Sequence, residues 1–165
     1  GVTVTVVAGS LAGLTPPSPP PASWASRPDS DVAIWHIVIE PGATWSLPPA
    51  EGPDTVRVLY PFEGSPTVDG VELGASTGAV VDAHAAVTLG ATDRVEALVL
   101  QGRPIGEPVS QYGPFVMNTR DEIEQAFADY RATQFGGWPW DRNDPVHGHD
   151  PARFARHADG RTERP

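Results

Sequence analysis

The placement of glycine and proline limits this chain more than any other feature. It carries 17 Gly and 19 Pro among 165 residues, and up to Gly113 they cut every apolar stretch before it reaches helix length. Such a chain can bury its apolar side chains only in short extended segments that reverse at turns. In the opening segment, Gly1 to Ala8, Val2, Val4 and Val6 fall on one face, with Thr3, Thr5 and Val7 on the other. Val32 to Ile39 (VAIWHIVI) is the strongest strand, with Ile34, His36 and Val38 pointing one way and Ala33, Trp35, Ile37 and Ile39 the other. Thr55 to Phe62 returns as a strand in which Pro61 marks an edge or a bulge. Asp69-Gly70, between Thr67-Val68 and Val71-Glu72-Leu73, predicts a tight hairpin, because that turn needs positive φ. Gly78 to Asp82, Ala85 to Leu89 and Val95 to Leu100 supply three more strands. Thr15 to Ser23 (TPPSPPPAS) is read as a stiff surface connector rather than a ligand for proline-recognition domains. Ala43 to Gly52 is read as a second proline-rich loop. Short strands in succession, with turn residues between them, predict an antiparallel sandwich or barrel.

The pattern changes once, after a turn-rich approach from Gln101 to Tyr112. Thr119-Arg-Asp-Glu122 has the form of a capping box, with acidic residues where a helix dipole is positive. Ile123, Ala126, Phe127 and Tyr130 then repeat at helical spacing, predicting a helix over about 120–134, closed by Gly136-Gly137. Residues 138–165 lose all periodicity and read as an irregular tail. The expected organisation is thus one domain over 1–137, followed by that tail.

Composition excludes several chemistries. Cysteine is absent, and all eleven basic residues are Arg, so thiolate sites, a Cys nucleophile and Lys chemistry are unavailable to the chain. The formal charge is −10. The excess lies in 1–137, where sixteen acidic residues face six Arg, which disfavours direct binding of DNA or RNA. No apolar run is long enough to span a bilayer. The chain opens on Gly1, and its only Met is Met117, which implies processing or a longer parent. Residues 1–8 lack the basic start and apolar centre of a signal peptide, and the expected location is cytoplasmic.

The candidate residues for chemistry are scattered. His36 shares a strand face with aliphatic residues and reads as a half-buried structural histidine rather than a metal ligand. His147 and His149, with Asp144, Asp150 and His157 nearby, would project to one side of an extended segment and could chelate Zn or Ni, or could simply be solvated in the tail. Glu63, Glu72, Asp82 and Glu96 lie in or beside strands at spacings that select no acid–base pair. Glu107, between Gly106 and Pro108, is expected to accept backbone amides in its turn. There is no nucleophile elbow, phosphate loop or dinucleotide fingerprint.

The run Gln101 to Gly136 resembles the C-terminal part of pirins, iron-binding proteins of the cupin superfamily built from two β-barrels in tandem. The matching positions are Gly102-x-Pro104, Gly106-Glu107-Pro108, Gly113-Pro-Phe-Val-Met-Asn-Thr119 and the Glu/Gln-rich helix ending at Phe135-Gly136. Glu40-Pro-Gly-Ala43 and Phe62-Glu63-Gly64 are similar to cupin turns. The resemblance covers Gly1 to Gly137. It implies a cupin-type jelly roll with a C-terminal helix. In that family iron sits in the first barrel, on a His-x-His pair, a further His and a Glu. Here the stretch equivalent to the pair reads Ser46-Leu-Pro-Pro-Ala50, and His84, near the second cupin motif, lacks its Gly and His neighbours. No residue of this chain is therefore assigned a catalytic, cofactor-binding or metal role; iron is expected in an N-terminal cupin half, not here.

The expected function is that of a non-metal C-terminal cupin domain, a scaffold or protein-interaction half beside an iron-binding N-terminal cupin. The alternative is part of a flavonol-oxidising enzyme of the quercetin 2,3-dioxygenase type, or a barrel with its own small-molecule or metal site, recruiting metal through His36, His84 or the tail. Expected partners are the N-terminal half and a protein partner, with no nucleic acid bound directly and no membrane.

Overall fold

In the computed structural model, which describes residues 1–140, 143, 153–157 and 159–164, the chain divides into two units, Gly1–Gly106 and Glu107–Pro165. The first unit is built on two antiparallel sheets. One contains β1 (Val2–Ala8), β2 (Ala33–Ile39), β4 (Val56–Glu63), β7 (Ala79–Val81) and β9 (Val95–Gly102), in the order β1-β2-β9-β4-β7. The other contains β3 (Thr44–Leu47), β5 (Thr67–Val68), β6 (Val71–Glu72) and β8 (Val87–Gly90), in the order β3-β8-β5-β6. Several neighbours, such as β2 with β9, β9 with β4 and β3 with β8, are distant in sequence, the mark of a jelly roll rather than a meander.

Burial follows the alternation of each strand. In β2, Ala33, Trp35, Ile37 and Ile39 are buried while Ile34, His36 and Val38 are only half covered. Register places Trp35 opposite Val99, and Val99 opposite Leu59. These residues form one core with Leu47, Val87 and Leu89 of the smaller sheet, and Val2, Val4 and Val6 pack against it from β1. The jelly roll expected from the sequence is present, as two facing sheets that share no ladder. The Asp69-Gly70 hairpin forms as predicted, with φ of 48° and 82°.

One detail differs from the sequence reading, and two are sharpened by the structure. Residues Thr44–Leu47, read as loop, form β3 and pair with β8. Proline is compatible with the end of a strand, so Pro48-Pro49 stops β3 only after Leu47 has reached the core. The bulge expected at Pro61 is present as a register shift between Pro61 and Glu63 in the ladder with β9. The proline-rich connector is tied down at its end by Trp24. The Trp24 indole N–H donates to the Arg103 carbonyl at 2.9 Å, and the ring carries the guanidinium groups of Arg27 and Arg103 at 4.8 and 4.9 Å.

The second unit pairs β10 (Ser110–Tyr112) with β11 (Phe115–Met117) and continues into α1 (Arg120–Thr133). Ile123 and Ala126 are the buried positions of the helix, and Phe127 and Tyr130 join Tyr112, Phe115 and Phe135 in a chain of edge-to-face ring contacts. The capping box is complete: the Glu122 N–H donates to Thr119 Oγ1 at 3.3 Å, and the Thr119 N–H donates to the Glu122 carboxylate at 2.8 Å. Hydrogen bonds donated by the Thr119 hydroxyl first, then by the Thr119 and Asn118 backbone N–H groups, hold the Glu122 carboxyl below its ordinary range. The helix ends within one residue of the expected 134. Gln134 adopts the left-handed conformation at φ 53°, and its N–H closes on the Tyr130 carbonyl. The tail adds a small hairpin, β12 (Ala155–Arg156) with β13 (Thr162–Glu163). Thr119→Ala is expected to cost about 1 kcal/mol, read as a lower urea midpoint; an unchanged midpoint would show that the ring cluster alone holds the helix start.

No helix among the described residues is long and apolar enough to cross a membrane.

Candidate functional site in the first unit

Register brings two polar side chains together in the larger sheet. Arg57 in β4 lies directly opposite Gln101 in β9, and Gln101 lies opposite Ala33 in β2. Arg57 alternates in step with Leu59, so its side chain enters the same interior and is 0% exposed. Its Nε–H donates to Gln101 Oε1 at 2.8 Å, and an Nη1–H donates to the Pro48 carbonyl at 2.6 Å. A further Nη2–H reaches the same Gln101 oxygen. The guanidinium lies over the Trp35 ring at 5.9 Å.

Gln101 passes the network on. Its Nε2–H donates to Asp31 Oδ1 at 3.0 Å and to the Asp31 carbonyl at 3.2 Å. Asp31 has φ 47° and turns the chain into β2. Its other oxygen accepts from the Gly52 N–H at 2.9 Å and the Thr55 hydroxyl at 2.5 Å. Gly52 is needed for this approach, since a Cβ there would fall 2.6 Å from Thr55 Oγ1 and 3.0 Å from Asp31 Oδ2. Burial pulls the Arg57 guanidinium below its ordinary value, and the charge of Asp31 pulls it back up. The network borders a cavity of about 310 Å³, lined also by Leu11, Ala12, Pro49 and Glu51.

On the outer face of the same sheet lies a second charged group. His36 Nε2 is 2.8 Å from Glu96 Oε2, and the ring stacks on Phe62 at 5.7 Å. Arg94 bridges Glu96 and Glu63, the latter at 3.1 Å. His36 is thus a partly covered residue with a carboxylate partner, in a lattice of opposite charges. Arg94, and then His36, hold the Glu96 carboxyl below its ordinary range. Because folding lowers that value, the contribution is complete above the ordinary carboxylate range and is lost as pH falls through the folded value. Glu96→Gln is therefore expected to be less stable than the parent at neutral pH and to converge on it below about pH 4, followed as urea midpoints against pH. A gap that stays constant down to pH 3 would remove Glu96 from the acid transition.

The remaining sequence candidates fall elsewhere. His84 is exposed in the turn before β8, where its backbone N–H donates to Asp82 Oδ1 at 2.8 Å. Glu72 is exposed in β6. Glu107 accepts from the Asn118 side-chain amide at 2.7 Å, a different partner from the backbone amides expected of it. Its turn is opened by Gly106 at φ 74°, and it accordingly ties the approach segment to the residue preceding the helix cap. His157 lies beside Glu163, with Nε2 and Oε1 3.5 Å apart. Asp144, His147, His149 and Asp150 lie outside the described residues. Among the described residues, no three His, Cys, Asp or Glu side chains gather as a metal site would require. Arg57, Gln101 and Asp31 escaped the sequence reading. The available signal was a charged residue in phase with Leu59 on an otherwise apolar strand.

A model of the pirin C-terminal cupin domain matches residues 34–136. The chain belongs to the pirin family. It is 38% identical over 135 residues to a Pseudomonas aeruginosa protein named "putative quercetin 2,3-dioxygenase", covering 79% of this chain and 45% of that one. It is 33% identical over 135 residues to a pirin-like protein of Caulobacter vibrioides, covering 82% and 46%. The crystal structure of a quercetin 2,3-dioxygenase from Acinetobacter baumannii superposes with a TM-score of 0.66 at 28% identity, over 83% of this chain and 45% of that one. The chain therefore spans about half the length of the relatives it matches.

The pirin resemblance makes iron the group to test against the interior. At the turn where the family's His-x-His is expected, Leu47 points into the core at 0% exposure. The adjacent Pro48 carbonyl is occupied by the Arg57 guanidinium. An apolar side chain and a buried cation supply no anionic or imidazole donor to a metal ion and oppose its charge. The residues of this interior do not fit iron.

Proposed function

We propose that this pirin domain is the non-metal half of a two-cupin protein, a scaffold and protein-interaction surface beside an iron-binding N-terminal cupin. The observation that carries the reading is the guanidinium of Arg57 in the interior, next to Leu47 where the family's ligand pair would fall. A core built around a fixed cation favours a structural role over metal chemistry. The acidic surface, at a formal charge of −10, suits a partner with a basic face rather than nucleic acid. A cytoplasmic location belongs to the same proposal.

The second reading, participation in a flavonol-oxidising enzyme, is favoured by the quercetin 2,3-dioxygenase names of the relatives. In that case the oxidation belongs to the whole protein, and this half contributes packing. Purified chain loaded with Fe(II), dialysed and assayed for iron and for oxygen uptake with quercetin is expected to retain no stoichiometric metal and to consume no oxygen. Stoichiometric iron that disappears in His84→Ala would overturn the non-metal reading. The scaffold role predicts a one-to-one complex when the chain is mixed with a separately expressed N-terminal half; two species that elute independently would count against it.

A further inference from the structure

A cavity of about 430 Å³ lies where the proline-rich connector faces the free edge of the larger sheet. One wall is aliphatic and comes from the sheet, with Val7 at the end of β1 and Ile34 at the start of β2. Val7 sits in the register shift between Val6 and Ala8 and is 55% exposed. The other wall is formed by Pro16, Pro17, Pro19 and Pro20. Proline has no N–H and cannot add a strand to the β1 edge, so the connector stands off the sheet. Both of its ends are fixed. Before it, Leu11 and Leu14 exchange backbone hydrogen bonds at 3.1 and 2.9 Å. After it, the Ser23 and Ser26 hydroxyls donate to the Pro20 and Pro21 carbonyls at 2.7 and 2.8 Å, next to the Trp24 anchor. A stiff segment held at both ends does not fold down to fill the gap.

The polar character of this cavity is one-sided. None of its lining side chains carries a charge. The Ser23 N–H and hydroxyl are both spent on the Pro20 carbonyl. The carbonyls of Pro16, Pro17 and Pro19 accept from no donor among the described residues. The proline wall therefore brings acceptors without backbone donors, beside pyrrolidine rings and an aliphatic floor. We propose that this cavity binds a neutral planar aromatic molecule of two fused rings that carries an N–H donor. Flat rings lie against proline and aliphatic faces at little ordering cost, because the wall is rigid beforehand. The ligand N–H gives a proline carbonyl the donor it lacks within the chain. A carboxylate is disfavoured, since no cation lines the cavity and the chain's formal charge is −10. The volume lies in the lower part of the range for small-molecule sites. The site requires no metal and does not rest on the scaffold reading.

The test is a titration of the full chain, ¹³C-labelled at the isoleucine δ1 methyl groups, with indole. The Ile34 signal is assigned from Ile34→Val. Indole is expected to shift that methyl saturably and to leave Ile37, at 0% exposure in the core, unmoved. 1-Methylindole keeps the rings but lacks the donor, and is expected to bind at least about threefold more weakly. Indole-3-acetate, with its negative charge, is expected to bind more weakly than indole as well. Val7→Trp, at an exposed position that tolerates the change, is expected to fill the cavity and abolish the response. The double variant Pro17→Ala, Pro19→Ala loosens an exposed loop without touching the core, and is expected to weaken indole at least about threefold. No saturable Ile34 shift up to roughly 5 mM indole, equal affinity for either analogue, or affinity unchanged in both cavity variants would overturn the proposal. None of these results depends on iron or on an N-terminal half, so either reading can fail without the other.

Discussion

Trp35→Ala is expected to lower the unfolding free energy by about 3–5 kcal/mol, and Trp35→Phe by far less. Trp35 is 4% exposed at the centre of the core, in register with Val99 and, through it, Leu59. Truncation removes the largest apolar side chain of that row and leaves a void which neighbours fixed in β-ladders cannot close. The ring also underlies the Arg57 guanidinium at 5.9 Å, so its loss strips the cation of a favourable face as well. Phenylalanine keeps a ring there, and the indole N–H it removes has no hydrogen-bond partner among the described residues. The phenylalanine cost should therefore be a packing cost alone. Urea unfolding followed by far-UV circular dichroism measures both variants without relying on tryptophan emission. If the two lose stability equally, the indole N–H has a partner that matters, and the account of an unspent donor is wrong.

The sequence carried the sheet and most of its strands because alternation is local. Ile37 and Ile39 against His36 and Val38 declare two faces with no tertiary information, and the structure buries them accordingly. The capping box at Thr119 was legible for the same reason, being set by residues three positions apart. What stayed hidden depended on pairing across long separations. Thr44–Leu47 looked like loop because Pro48-Pro49 follows, and only its ladder with β8 makes it a strand. Arg57 and Gln101 are 44 residues apart, and nothing in either segment says that they face each other. Asp31 reads as an ordinary turn residue before a strand. Its role follows from Gly52 and Thr55, brought to it by the fold. The helix end falls within one residue of the expected position, although Gln134 rather than a glycine takes the left-handed cap conformation.

Asp31→Ala is expected to be the most damaging polar substitution, costing about 3 kcal/mol or more. The carboxylate satisfies the Gly52 N–H, the Thr55 hydroxyl and the Gln101 amide, and alanine leaves all three short of a partner. It also removes the negative charge that supports Arg57 against the cost of burial. The left-handed φ of 47° adds strain, since Asp tolerates that conformation better than Ala. Two contributions can be separated by a double-mutant cycle with Arg57→Met, which keeps volume and discards the cation. If charge compensation dominates, the second substitution should recover a measurable part of the loss, because the uncompensated cation is gone. If losses simply add, Asp31 acts through its hydrogen bonds alone. Asp31→Asn sharpens the distinction. It keeps the side chain's shape and its tolerance of the left-handed turn but removes the charge, so a loss close to that of alanine would put the electrostatic support of Arg57 first.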